Sequence, residues 1–252
     1  IIKFHNVDKI YNEIHFFEWW SQLKKIEFFH ENLILLKELN AQYQLSDLFL
    51  NKHVYISSVL FNSNKSDFLF ITSISEFQIK SHKLMRTIHS SDNNPKYYED
   101  VQINNIKIKT SSNKDVDVFF TIYNEIFLLS FSSILIEESI RKLKDNTDIF
   151  HSYPINKLSQ NLPIYSDLNV LVKTQFLEKL IGHKNIFLNS NTWSWFDVKL
   201  EKDNIALNGV TNRGEIKYLE NSEYSNAKQS NIEHILPRHI TGFYKYQINN
   251  TS

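Results

Sequence analysis

Ten histidines, 28 acidic and 28 basic side chains, and not one cysteine define the chemistry open to this 252-residue chain. The absence of cysteine removes disulfides, thiolate metal sites and thiol nucleophiles together. Among the histidines there is no H-E-x-x-H helix motif, which would present two imidazoles on one face to zinc. The tightest cluster is Glu233, His234 and His239, with Arg238 between and Pro237 breaking any regular element; it reads as a solvated loop. His82 and His89, seven apart, would share a face of a helix but have no carboxylate beside them. The expectation is therefore no metal and no cofactor.

Serine nucleophiles fare no better, since G-x-S-x-G is absent. Ser111-Ser112-Asn113-Lys114 matches S-x-x-K by letter, but it falls in a polar turn between strands rather than opening a buried helix. Glu137 and Glu138 are adjacent and project about 100° apart on a helix. A glycosidase pair must converge from separate elements across ~5–9 Å, so these two are assigned to helix capping and ion pairing. No catalytic residue is predicted, and the reading leans away from an enzyme. The remaining candidates are Trp193, Trp195 and Asp197. On a strand they share one face with Lys199, while Phe196, Val198 and Leu200 take the other. The indoles could stack on a sugar or a partner protein, or pack beneath a helix such as 174–181. Trp19 and Trp20, adjacent on a helix, face apart, which predicts one buried and one partly exposed.

Composition narrows the classes further. Zero formal net charge argues against nucleic-acid binding, which normally shows a basic excess. Only four glycines are present, at 182, 209, 214 and 242, so glycine-rich phosphate loops cannot be built. The scarcity of alanine and glycine, beside 28 asparagines, 30 isoleucines and 24 lysines, is read as the mark of an AT-rich genome. The longest apolar stretch, Ile126 to Ile136, is broken by serines and falls short of the ~20 residues that span a bilayer. The chain begins Ile1-Ile2-Lys3, and Met85 is its one methionine; this reads as a processed or truncated piece from which any signal peptide has been removed.

The elements that must position these residues follow from periodicity. Residues 2–6 alternate as a strand. Helical spacing covers Val7 to Ile14, Phe16 to Phe29 and Asn32 to Leu39, with another start at Leu45. His53 to Phe61 and Asp67 to Ile74 form a hairpin about a five-residue polar turn at 62–66. The second strand, apolar on both faces, should lie centrally, covered on both sides. Residues 76–88 are predicted helical, and 90–95 a loop. Strands follow at 99–109, 115–122 and 126–131, with a tight turn at Tyr123-Asn124-Glu125.

A helix after Ser132 or Ser133 carries Glu137 and Glu138 early and Arg141, Lys142 and Lys144 late. These charges complement the helix dipole, pair at i,i+4 as Glu137–Arg141 and Glu138–Lys142, and leave Ile136, Ile140 and Leu143 as the buried stripe. Beyond the connector 145–166 come a strand at 168–172, a helix from Thr174 to Ile181, a hairpin from Trp193–Leu200 and Asn204–Val210, a polar loop at 212–231 and a last strand at 241–248. The expected fold class is α+β: mainly antiparallel sheets with packed helices, in a loose strand–helix–hairpin repeat at 2–75 and 168–210. The expected organisation is an α+β unit over 1–150 and a smaller one over 166–252, with a boundary at 151–165 or one continuous domain.

Three segments carry a family likeness: His53-Val-Tyr-Ile-Ser-Ser-Val-Leu with Asp67-Phe-Leu-Phe-Ile; Glu125 through Leu143; and Trp195-Phe-Asp-Val-Lys-Leu with Ile205-Ala-Leu-Asn-Gly-Val-Thr. The chain resembles a group of extracytoplasmic proteins of Bacteroidetes, particularly flavobacteria, catalogued as a domain of unknown function. The resemblance implies a secreted or lipid-anchored protein and a native chain continuing past Ser252; the partner expected is a protein or cell-envelope component. It implies no activity and no catalytic residue. The function expected is a non-enzymatic envelope-associated scaffold or binding protein; the alternative is a carbohydrate-binding module or glycan hydrolase with an aromatic platform.

Overall fold

The computed structural model describes residues 1–13, 16–23, 27–62, 65–89, 94–110, 113–145, 166–173 and 193–211. Its frame is one sheet built from β1 (Ile2–Phe4), β2 (Val54–Asn62), β3 (Lys65–Ser73), β4 (Lys96–Tyr98), β5 (Val101–Lys109), β6 (Asp115–Tyr123), β7 (Ile126–Ser130), β8 (Leu168–Lys173), β9 (Trp193–Leu200) and β10 (Ile205–Thr211). These ten strands lie in the order β10-β9-β8-β1-β2-β3-β7-β6-β5-β4, and every neighbouring pair is antiparallel. The class is mixed α+β, dominated by antiparallel sheet. The strands flanking the expected boundary at 151–165 belong to this one sheet, because β1 pairs with both β2 and β8. The compact unit holding all of them is Ile1–Gly214. Glu215–Ser252 forms the second unit and lies outside the described residues, as do the expected helix at 174–181, the loop at 212–231 and the strand at 241–248.

Alternation divides the sheet's side chains between two faces. On the first, Phe68, Phe70, Phe120, Phe127 and Leu129 are buried against Leu39 of α3 (Glu27–Tyr43), Leu48 of α4 (Ser46–Phe49) and Leu84 and Met85 of α6 (Lys83–Arg86). Farther along this face Ile10 of α1 (Val7–Glu13), which precedes the single turn α2 (Trp20–Leu23), meets Leu168 and Val198. On the second face, Leu69, Ile103 and Leu128 pack under Leu135, Ile136 and Ile140 of α7 (Ser133–Lys144). Leu69 and Phe70 thus belong to opposite cores, and β3 is covered on both sides as its apolar run requires.

Local departures from the periodicity have physical causes. The β2–β3 strands run on to an Asn62–Lys65 pair, with a register irregularity after Leu60. The turn is shorter than its polar composition suggests, because ladder bonds use backbone groups whatever the side chain. The helix expected over 76–88 is broken into α5 (Glu76–Ser81), α6 and a 3₁₀ turn at Thr87–His89. Ser75 starts α5 with a capping box to Gln78. His82 has extended backbone and ends α5, while its imidazole accepts from the Leu84 amide to cap α6. Lys96–Tyr98, between the loop expected at 90–95 and the strand expected at 99–109, is itself a strand, β4, hydrogen-bonded to β5.

Helix α7 forms as its pattern demands, but with two corrections. Ser132 stands at the N-cap without a side-chain cap bond. Glu137 pairs with Lys96 on β4, while Glu138 does pair with Lys142, at 3.5 Å. Neither carboxylate converges on the other. In this glycine-poor chain the two-residue turns are made by acidic and Asn residues: Asn124 and Glu125 take φ 49° and 63°, and Glu99 and Asp100 take 46° and 61°. Paired positive φ matches the twist of the flanking strands, yet costs a residue with a Cβ roughly 1 kcal/mol or more. Glu125→Gly is therefore expected to raise stability by about 0.5–1 kcal/mol in urea unfolding. Gly209 is a different case. A Cβ there would lie 2.3 Å from the Trp195 carbonyl oxygen and 2.5 Å from the Phe196 ring. Backbone cannot yield as a side chain can, so Gly209→Ala is expected to destabilise by about 1–3 kcal/mol in the same assay.

Candidate functional site

Where α7 no longer covers it, the second face carries polar side chains in register. Asp197 on β9 stands opposite Asn169 on β8, which stands opposite Lys3 on β1, which stands opposite Tyr55 on β2. One step along, β1's continuation brings His5 beside Asp167, its amide donating to the Asp167 carbonyl at 3.2 Å. His53 stands at the entry to β2, its ring edge-on to His5 at 5.3 Å between centroids.

The central hydrogen bonds run through Asn169. Its amide nitrogen donates to Asp197 Oδ1 at 2.5 Å and to Ser166 Oγ at 2.9 Å. Its Oδ1 lies 2.6 Å from His5 Nε2, so with the carbonyl accepting, that imidazole nitrogen carries the proton. Asn169 and Asp197 are 6% and 7% exposed, which makes this a buried polar chain whose members satisfy one another. Burial pushes the Asp197 carboxyl above its ordinary 3.8, opposed by the electrostatic influence of nearby His5 and by the Asn169 bond. His53 is held below its usual range by burial, then by the charges of Lys3 and His5, against backbone hydrogen bonds at Phe4 and His5. Beside the chain, Asp167 accepts from the Leu200 amide at 2.9 Å and pairs with Lys9 at 3.0 Å, tying α1 to β8 and β9.

Trp193, Trp195 and Asp197 do share this face, as alternation requires. Trp195 is buried, packed with Leu171 and Ile1, and Trp193 lies half-buried against the same cluster. Lys199 continues the row, exposed. Trp19 and Trp20 are both half-buried, where one buried and one partly exposed was expected. Trp19 stacks on Phe17 at 5.2 Å and donates its indole N–H to the Glu201 carbonyl at 2.9 Å. That bond holds the β9–β10 turn. His5, His53 and Asn169 carried no signal in the sequence: only sheet register brings together residues 164 apart.

A concavity of about 520 Å³ lies apart from this polar end, beside α4 and α5, lined by Gln44, Asp47, Lys52, Gln78 and His82 among others. Its polar groups already hold the backbone. Lys52 donates to the Ser73 carbonyl at 2.7 Å and to Gln78, and Gln78 donates to the Asp47 carbonyl at 3.1 Å. His82 accepts from Leu84 at Nδ1 and so donates from Nε2 to the Gln44 carbonyl, 3.0 Å away. His82 and His89 do not share a helix. Ser111 and Ser112 lie outside the described residues, as do Glu233, His234 and His239. Among the described residues no group of three or more His, Asp and Glu is placed to hold a metal. No described helix is long and apolar enough to cross a membrane.

Compared with protein-family models, curated proteins and solved structures, the chain matches none.

The polar chain has a pH signature. Because the folded carboxyl of Asp197 titrates above 3.8, its contribution to stability is fully present below that pH and is lost as pH rises through the folded value. Asn169→Ala strips Asp197 of a donor and His5 of an acceptor. Its expected cost at neutral pH is about 1–3 kcal/mol, with the Asp197 transition moved to higher pH, as read by urea unfolding across pH and by carboxyl NMR titration. Asp197→Asn removes the falling limb above pH 3.8 altogether.

Proposed function

We propose that this protein is a non-enzymatic, envelope-associated scaffold that binds another macromolecule, a protein or a cell-envelope component, across the polar end of its sheet. The observation that carries this reading is how the site's groups are used. Asn169 and Asp197, the buried members, are committed to each other and to His5 and Ser166, while the groups turned toward solvent are His53, Lys199 and part of Trp193. A mixed aromatic and charged surface over a rigid, internally satisfied base suits a large partner. A small substrate is usually bound in an enclosing, mostly apolar cleft. Membership of the flavobacterial extracytoplasmic group, and a location outside the cytoplasm, are part of the same proposal.

The strand–helix–hairpin echo is proposed as the plan of the sheet. Its support is that β1 followed by β2–β3, and β8 followed by β9–β10, run outward in opposite directions from the β1–β8 pair. The alternative ligand is a glycan at Trp193, Trp195 and Asp197, favoured by the shared face of the two indoles; the burial of Trp195 leaves Trp193 as its accessible ring.

Purified envelope protein and glycan fractions, each titrated against the immobilised protein, test this. The expected result is saturable retention of one protein component, weakened about tenfold or more by His53→Glu with Lys199→Glu. Turnover of a substrate with no component retained would contradict it. Glycan binding abolished by Trp193→Ala would select the alternative.

A further inference from the structure

The two ends of the ten-stranded sheet are finished differently. At one, β4 has three residues and its Lys96 is engaged by Glu137 on α7. At the other, β10 has seven residues, Ile-Ala-Leu-Asn-Gly-Val-Thr, with no charge and no proline. Among the described residues nothing pairs with its outer side. Ile205, Leu207 and Val210 are 38%, 62% and 42% exposed. An edge strand turns a row of unpaired N–H and C=O groups outward, and sheets normally blunt such edges with lysine, proline or a covering element. Among the described residues none of these is used on β10.

We propose that β10 pairs antiparallel with β10 of a second copy of this chain, about a two-fold axis at Asn208, joining two sheets edge to edge. The sequence of the strand argues for this occupant. Such an axis keeps each side chain on its own face, so paired residues must lie at equal distances on either side of the centre. Centred on Asn208, all seven residues pair: Leu207 with Gly209, Ala206 with Val210, Ile205 with Thr211. Leu207 then faces Gly209 and Val210 faces Ala206, a large side chain against a small residue each time, and Leu207 lies over the glycine whose own Cβ space is closed by Trp195 and Phe196. Centring on Leu207 or Gly209 shortens the ladder, leaving two of the seven residues without a partner. Formal net charge of zero leaves no overall repulsion between copies. A single seven-residue seam is smaller than the ~1,200–2,000 Å² of a stable interface, so the dimer is reversible and concentration-dependent. This proposal is independent of the ligand reading above.

The absence of native cysteine makes the test direct. Residues facing each other across an antiparallel ladder have Cα atoms about 4.5–5.5 Å apart, within disulfide reach. Asn208→Cys is expected to oxidise to a covalent dimer about tenfold or more faster than Tyr97→Cys, on the opposite edge, at equal concentration. In sedimentation equilibrium the wild-type chain is expected to dimerise. Asn208→Lys, which opposes two like charges at the axis, is expected to weaken dimerisation about tenfold or more while circular dichroism stays unchanged. Equal oxidation rates for the two cysteine variants, or a wild-type chain that stays monomeric up to about 0.5 mM, well above the range of a weak specific contact, would overturn the proposal.

Discussion

Continuity of the sheet passes through three residues. Ile2, Lys3 and Phe4 pair on one side with Ile56, Tyr55 and Val54 and on the other with Val170, Asn169 and Leu168. Strands from the two ends of the described chain become one sheet only because this short strand is hydrogen-bonded along both its edges. Everything else on the polar end inherits its geometry from that register. Sliding β1 by one residue would exchange Ile2 and Phe4 with Lys3 and drive a cation into the cluster around Ile10. The hydrophobic pairing therefore fixes the polar alignment opposite it.

That division of labour explains why the buried polar chain is tolerated. One face of β1, β8 and β9 supplies apolar burial with α1. The other can then accept Asn169 and Asp197 at small exposure, provided each is bonded, because an unpaired buried carboxylate or amide would cost several times a good hydrogen bond. The chain through His5, Asn169, Asp197 and Ser166 meets that condition. The indole of Trp19, reaching the Glu201 carbonyl, fastens the far hairpin to the helical N-terminal region, so β9 is held at its turn as well as along its length. Among the described residues nothing braces the outer side of β10 in this way.

Much of this frame was legible in the residues, for reasons that differ by element. Alternation in 53–61, 67–74, 115–122 and 193–200 gives strands because half-buried or doubly buried sheet leaves a period of two. Helix α7 is legible because its charges and its apolar stripe agree. The shared face of Trp193, Trp195 and Asp197 follows from alternation alone. What was not legible depends on register. Three residues at the start of the chain give no sign that they unite two sets of strands, and His5, Asn169 and His53 meet only through pairings made at long separation. Strand β4 was hidden because its exposed side chains, Lys96 and Tyr97, reflect its edge position. The break at His82 was hidden because a histidine capping a helix looks, in sequence, like one within it.

The most direct measurement of β1's role is amide hydrogen exchange on the Lys3→Pro variant, in which the ring removes a ladder donor from the middle of the strand. If β1 carries the continuity of the sheet, protection in β8 and β9 falls about a hundredfold or more, while amides of β5, β6 and β7 under α7 keep their wild-type rates. Wild-type protection across β8 and β9 in that variant would contradict the account.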